Sequence, residues 1–292
     1  MRRELGIYVN QISADFEEFI EKASVAGFKY LATQDSIEWL SLSKAERRKK
    51  IAETKKLCEK YSLKFIAHHS NPILLPSLNV EESFCYLRNL VEEISNWEIS
   101  FYVLHHRSIQ GIANPWTIIE NVGKEKFDRA TVEVLKRICD YAARFKISLA
   151  LENLPYPYAK SVDDILEVID MVNRENLGIC FDSGHSHIAT DSVYEELEKA
   201  GKKLLTTHFH DNRGNNGEIV DEVNVSNYDL HLVPGLGIID WISVNEILDK
   251  IHYTYPVVFE GIRGIENHGK LLEIVVMLWR SFENLITEAK NE

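Results

Sequence analysis

The chain lacks any CxxC or comparable cysteine spacing: Cys58, Cys85, Cys139 and Cys180 are scattered through 292 residues. That excludes a disulfide framework and a ribbon-type zinc site, and it points to free thiols in a reducing, cytoplasmic setting. No apolar stretch approaches the ~18 residues of a membrane helix. The N-terminal "MRRELGIYVN" has two arginines but no apolar segment behind them, so no signal peptide is expected. Neither GxGxxG nor GxxxxGK[ST] occurs, which removes the usual phosphate-cradling loops and with them a nucleotide cofactor. Basic residues are in deficit, 33 against 45 acidic, for a formal net charge of -12. A field of that sign repels nucleic acid and anionic membranes. The longest basic run, "RRKK" (47–50), lies in a helical pattern with glutamates and reads as a solvated face.

What remains is ordinary globular composition, 45% hydrophobic and 27% charged, with ample length for a large core. The pattern alternates. Strand-like runs fall at 4–9, 28–33, 63–68, 99–106, 147–153, 177–183, 204–210 and 255–261. Helical patterns follow near 14–26, 43–61, 80–97, 126–144, 161–174, 192–201, 242–252 and 268–288. Eight strands each followed by a helix is the count of a (β/α)8 TIM barrel, and the length suits one domain over 1–292. A doubly wound open sheet is the rival, but it usually has fewer strands. The Gly/Asn-rich stretch 211–240 would be a long βα loop on the catalytic face.

The strand ends carry the chemistry. The third ends in His68-His69, the fourth in His105-His106, the fifth in Glu152-Asn153 and the sixth in Asp182, followed by His185 and His187. The seventh ends in His208 and His210, the loop after it holds Asp229 and His231, and the eighth ends in Glu260. Nine of the eleven histidines lie in these places. On a barrel, the C-terminal strand ends converge on one pocket. Several carboxylates cannot ionise together there without a counter-charge, and a divalent cation supplies one. Mixed His/Asp/Glu ligation suits zinc, manganese, iron or cobalt, with zinc or manganese the expectation. The bland reading is that each acid caps a helix. Capping predicts Ser, Thr, Asp or Asn, and does not account for two glutamates and three histidine-bearing strands. Side chains alternate along a strand, so only one member of His68/His69 and one of His105/His106 can face the axis. His208 and His210 share a face, so one can bind metal while the other reaches substrate.

"LALENL" (149–154), "GICFDSGHSH" (178–187), "HFHDN" (208–212), "DLHLVPGLGIIDW" (229–241) and "VVFEG" (257–261) resemble the xylose-isomerase-like TIM barrel superfamily. That group joins sugar isomerases and epimerases to the endonuclease IV family. The resemblance to the epimerase branch implies one divalent ion on Glu152, Asp182, His208 and Glu260, with His185 touching substrate. The resemblance to the endonuclease branch implies three zincs, with His68, His105, Glu152, Asp182, His185, His208, Asp229, His231 and Glu260 as matching ligands. The D-x-H before G-x-G of that branch is matched by Asp229, His231, Gly235 and Gly237. "DSGHSH" after the sixth strand looks more like the isomerases, and the acidic charge opposes a DNA-backbone binder. The insertion 215–227 is longer than the pattern leads one to expect and leaves the substrate open.

The expected activity is therefore a metal-dependent isomerisation or epimerisation of a sugar or sugar-like ketone through an enediolate. The alternative is an endonuclease IV-like zinc phosphodiesterase. In the first, the metal stabilises the developing oxyanion while Glu152 and Glu260 exchange the proton. His185, His210, Arg213, His68 and His105 are candidates to hold substrate, and Trp116 and Trp39 are candidate apolar walls, although core packing accounts for either tryptophan alone. The partner is a small molecule, with neither nucleic acid nor membrane expected and a homo-oligomer left open.

Overall fold

In the computed structural model, residues 2–9, 15–69, 78–106, 115–220, 224–263 and 268–289 are described. The Trp116 side chain and residues 221–223 lie outside them. The elements are β1 (Leu5–Val9), α1 (Phe16–Ala26), β2 (Tyr30–Gln34), α2 (Ile37–Ser41), α3 (Lys44–Lys60), β3 (Lys64–His69), α4 (Val80–Ile94), β4 (Phe101–Leu104), α5 (Pro115–Val122) and α6 (Lys124–Ala142). They continue as β5 (Ser148–Glu152), α7 (Val162–Val172), β6 (Leu177–Asp182), α8 (Ser183–Ala189), α9 (Val193–Ala200), β7 (Leu204–His208), α10 (Val225–Tyr228), α11 (Trp241–Lys250), β8 (Val257–Phe259) and α12 (His268–Ala289). All eight expected strands and all eight expected long helices are present. Four short helices, α2, α5, α8 and α10, sit in βα connections where no periodicity announced them. None of the described helices is long and apolar enough to cross a membrane.

The helices begin where side chains satisfy their first N–H groups. Ser43 and Glu46 form a capping box on α3, and Ser161 and Asp164 form one on α7. Asn79 caps α4 and Asp240 caps α11. Each such cap is worth about 1 kcal/mol. The apolar faces then pack on the outer faces of the strands, where Phe28, Trp39, Trp97, Phe127, Trp241 and Trp279 join one continuous core.

The strands form a parallel sheet in the order β7-β6-β5-β4-β3-β2-β1-β8. Its two edges are brought together, so the sheet is a nearly closed TIM barrel and not a doubly wound layer. The seam is unusual. Between β7 and β8 the described residues show one isolated bridge, Phe209 with Phe259. Thr207 spans the gap with its side chain: Oγ1 donates to the Val258 carbonyl at 3.1 Å and accepts from the Val258 N–H at 2.9 Å.

Inside the barrel, small and aromatic residues fill the lower layers: Tyr8, Ala32, Ala67, Phe101 and Val258 in one cluster, and Val103, Ala150 and Cys180 in another. The next inward positions are polar, and they form the cup. Two bulges decide which residues face it. The β2–β3 register shifts after Leu31, leaving Ile66 as an extra residue, and the β6–β7 register shifts after Ile179, leaving Leu205 extra. A bulge reverses the facing of every residue beyond it.

Candidate active site

The barrel top brings together His69, His105, Glu152, Asp182, His208 and Glu260, with His185 from α8, His210 beyond β7, and Asp229 and His231 from the long loop. Ligand atoms of Glu152, Asp182, His208 and Glu260 lie within 4.8 Å of one another, and all four residues are buried. His208 Nδ1 is the centre of this group, 2.9 Å from Glu152 Oε1 and 3.1 Å from Glu260 Oε2. The other oxygens of the two glutamates turn to a histidine pair. Glu152 Oε2 is 3.0 Å from His105 Nε2, and Glu260 Oε1 is 3.2 Å from His69 Nδ1. The two imidazoles meet at 3.1 Å through their Nε2 atoms.

Asp182 leads to a second group. It caps α8 by accepting the His185 N–H on Oδ1 at 2.7 Å, and it also faces His210 Nε2 at 3.1 Å. Capping and cup membership, set against each other in the sequence, are held by one carboxylate. Asp229 Oδ2 stands 3.1 Å from His231 Nε2 and 3.5 Å from His185 Nε2. His185 Nδ1–H donates to the Asn153 carbonyl at 2.9 Å, and His231 Nδ1–H donates to the Glu260 carbonyl at 3.2 Å. Carbonyl acceptors hold each Nδ1–H, so Nε2 is the nitrogen turned into the cup and offers its lone pair there once unprotonated, the usual arrangement of an imidazole ligand.

The surrounding backbone is built for this packing. Gly184 is required because a Cβ there would come within 1.8 Å of the His210 ring. At Gly261, in the left-handed region with φ +59°, a Cβ would meet His231 Nδ1 at 2.6 Å. His231 itself holds φ +50°, a conformation that costs a non-glycine residue about 1–3 kcal/mol and recurs at functional sites. The arm carrying Asp229 and His231 is tied at both ends. Leu232 exchanges two 2.8 Å backbone hydrogen bonds with Asp211 and bridges to Arg263. The Asp211 carboxylate is fully buried and accepts from the N–H groups of Asn212 (2.9 Å), Gly235 (2.9 Å) and Ile239 (3.2 Å), and from Trp241 Nε1 (2.8 Å). Thus the acid of "HFHDN" anchors the arm and does not line the cup.

Burial and neighbours set the charges. Burial pushes the Glu152 carboxyl up, but His208, His69 and His105 outweigh it and hold it well below the usual carboxylate range. Burial is likewise overcome at Glu260 by His208 and His69, and at Asp229 by His185 and His231, so both also stay ionised. Burial alone would lower His208, but the Glu260 and Glu152 carboxylates raise it well above the ordinary imidazole value. Asp182 and Asp229 overcome burial at His185 in the same way, and Asp229 does so at His231. At His105 burial wins over Glu152 and the imidazole is lowered. Burial pushes the Tyr8 phenol up.

Several expected roles change. His69, and not His68, stands in the cup, because the Ile66 bulge reverses the strand's facing. His68 instead sits in the wall, where Nδ1 is 2.8 Å from Thr33 Oγ1 and Nε2 is 3.3 Å from Asp35. His105 faces inward as simple alternation on β4 requires. His210 belongs with Asp182 and Asp229. Arg213 is exposed, so the structure does not bring it to the cup. Trp39 is a core residue, 1% exposed and packed on Trp97. Sequence reasoning missed Tyr8, whose hydroxyl lies 2.8 Å from His208 Nε2, and Asn153, whose amide bridges the Asp182 backbone on both sides at 2.8 and 2.9 Å. Inward alternation on β1 could have found the tyrosine; no signal marked the asparagine beyond its place after Glu152.

The donors fit a divalent cation. Carboxylate oxygens and tautomer-fixed imidazole nitrogens converge in a buried space. Among the described residues, Asp229 Oδ1 and His210 Nδ1 are buried without a hydrogen-bond partner. Such a mixed carboxylate and imidazole set suits a divalent metal ion.

The family model for xylose isomerase-like TIM barrels matches residues 20–276. The chain is similar to an inosose isomerase of Bacillus velezensis, 28% identical over 206 residues, 68% of this chain and 70% of the relative. An inosose isomerase of Bacillus subtilis is 30% identical over 156 residues, 52% of this chain and 53% of its own length. Among solved structures, a D-psicose 3-epimerase from Clostridium cellulolyticum, determined with D-tagatose, superposes with a TM-score of 0.71 at 18% identity over 98% of both chains.

Proposed function

From the premise that this chain belongs to the xylose isomerase-like TIM barrel family, we propose that it is a divalent-metal-dependent isomerase or epimerase of a sugar or sugar-like ketone. One observation carries the reading: Glu152 and Glu260, from β5 and β8, each direct one oxygen at His208 Nδ1 and the other at the His69/His105 pair. Relatives named for isomerising inosose and epimerising psicose support the reaction class.

Glu152, Asp182, His208 and Glu260 would hold the ion. When bound, it supplies Lewis-acid stabilisation to the oxygen of an enediolate. The remaining work falls to the chain. A carboxylate held in its ionised form can take the proton from the carbon beside the carbonyl; the acid so formed can give that proton back, directly or after passing it to the second carboxylate across the cup, which then delivers it to the opposite face. Glu152 and Glu260 fill those roles. The imidazoles of His69 and His105 fix the orientation of the oxygens that face away from His208. His185, His210 and His231 line the remaining wall, where their ring nitrogens can hold substrate hydroxyls or further ligands. Burial of the whole set excludes bulk water and strengthens each of these contacts.

Zinc or manganese is the ion we propose, and a reducing compartment is supported by four free thiols, three of them buried. The nuclease alternative gains nothing from the relatives found by sequence. The deciding experiment incubates metal-loaded protein with a panel of ketoses and inososes in D2O and follows the C–H signal next to the carbonyl. Exchange that disappears in Glu260→Gln supports the reading. No exchange with any ketone, together with incision of an abasic-site duplex at low salt, would replace it with the phosphodiesterase.

A further inference from the structure

We infer that Tyr8 is a positioning residue for His208: its hydroxyl partners Nε2 whichever ring nitrogen carries the hydrogen, and so holds Nδ1 toward the carboxylates. The inference rests on the four-ligand reading of the site. His208 is fully buried, and its two nitrogens have separate partners. Nδ1 faces Glu152 and Glu260 at 2.9 and 3.1 Å, while Nε2 faces Tyr8 Oη at 2.8 Å. An imidazole that gives its Nδ1 lone pair to a cation must carry its hydrogen on Nε2, and that N–H needs an acceptor. The phenol oxygen is at hydrogen-bond distance.

A hydroxyl suits this place for a second reason. It can donate as well as accept, whereas a carbonyl or carboxylate only accepts. Without an ion, once the ring is neutral, its hydrogen can sit on Nδ1 and donate to Glu152, with the Tyr8 hydroxyl donating into Nε2. With an ion, the hydrogen moves to Nε2 and Tyr8 accepts it. One residue therefore serves both forms without either nitrogen being left bare in a buried space. The ring also fixes the geometry: Tyr8 meets His208 edge-on, at 5.0 Å between centroids and 89°, and meets His69 edge-on at 6.4 Å and 76°. Its own position is set from below by the inner cluster of Ala32, Ile66, Ala67, Phe101 and Val258. Tyr8 thus forms the floor of the cup beneath His208 and His69.

The test titrates zinc, against a chromophoric chelator, into the full chain and into Tyr8→Phe and His208→Ala, with long-range 1H–15N spectra of the imidazoles. Tyr8→Phe keeps the ring and should keep the far-ultraviolet circular dichroism. Its zinc affinity should fall about 10- to 100-fold, the usual effect of losing the partner of a ligating histidine. In the zinc-loaded parent, the spectrum should show His208 protonated on Nε2. A Tyr8→Phe affinity within about threefold of the parent would overturn the inference, because partners of ligating histidines normally matter more than that. Should the variant fail to fold, the parent spectrum decides: His208 protonated on Nδ1 in the zinc-loaded chain would overturn it equally. Undiminished zinc binding in His208→Ala would instead remove the four-ligand site, and this inference with it.

Discussion

Glu152 and His208 meet at 2.9 Å through Oε1 and Nδ1, one from β5 and one from β7, and both are almost wholly shielded from solvent. Their contact defines the centre of the cup and gives the most direct variants. Glu152→Gln keeps the shape and removes the charge; His208→Ala removes the nitrogen. Each should weaken divalent-ion binding by more than the roughly 10- to 100-fold typical of losing a ligand's supporting partner. Glu152→Gln should also lower kcat by about 10²- to 10⁴-fold. Metal content after gel filtration and steady-state kinetics give the two readings, and full metal retention in both variants would sink the site.

The facing of β3 makes a paired prediction. His69→Ala should reduce ion affinity or turnover, and it should also lower the melting temperature of the metal-free protein, since buried Glu152 and Glu260 lose an imidazole that holds them ionised. His68→Ala should leave ion affinity and kcat little affected. It removes a buried imidazole that meets Thr33 Oγ1 and Asp35 and should cost about 1–3 kcal/mol of stability. An exchange of the two phenotypes would mean that His68 is the residue in the cup.

Asp211 is predicted to act on stability and arm placement. Asp211→Asn replaces an acceptor oxygen with an NH2 group that faces N–H donors. The expected cost is about 1–3 kcal/mol, read as a fall of several degrees in the melting temperature. Asp229 and His231 hang on the same loop, so tryptophan fluorescence from Trp241 should change in parallel. A variant as stable as the parent would show that the four hydrogen bonds do not hold the arm.

Acid and base should affect the metal-free and loaded protein in opposite ways. His208, His185 and His231 have raised folded-state values. Their contribution is complete below the unfolded imidazole value of about 6.5 and fades as pH rises through the folded values. Glu152, Glu260 and Asp229 are depressed, so their contribution is present above about pH 4 and is lost only in stronger acid. The chelator-treated protein should therefore lose stability as pH rises above about 6.5. Zinc should restore more at high pH, because its imidazole ligands must be unprotonated. Melting curves with and without zinc across that range test both signs, and parallel curves would contradict the linkage.

The number of ions is a separate measurement. Asp182, His185 and His210 bring ligand atoms within 4.8 Å of one another beside the first group, and so do His210, Asp229 and His231. Anomalous scattering at the zinc edge from saturated crystals should give one strong peak among Glu152, Asp182, His208 and Glu260. Further peaks at Asp229 would assign the second group to metal; their absence would leave it to substrate.

Much of this was legible in the sequence, and what was not has definite causes. The eight-strand alternation shows directly because each buried parallel strand is a continuous apolar run. Glu152, Asp182, His208 and Glu260 could be placed at strand ends because ligands interrupt such runs. His69 was not legible because a one-residue bulge at Ile66 leaves no mark in an apolar strand, yet it reverses every facing beyond it. Tyr8 looked like an ordinary strand aromatic. Arg213 was a candidate to hold substrate, but its side chain is exposed where Asn212 and Asp211 bind the neighbouring backbone. α8 was missed because "SGHSHIA" has no apolar period; its start depends on a cap, Asp182, that also serves the cup.

The seam between β7 and β8 gives the barrel a place where it can breathe. Elsewhere a strand leaves its neighbour only by breaking a ladder of backbone hydrogen bonds. Here a threonine hydroxyl, one bridge and the clasp of Leu232 between Asp211 and Arg263 hold the two edges. Local opening is cheapest where such ladders are thinnest. Amide protons along 257–259 and 205–209 should thus exchange with solvent sooner than those of the central strands, and an ion that cross-links Glu260 to His208 would act as a rivet across the gap. Occupancy of the cup would then be felt as rigidity along the barrel's flank.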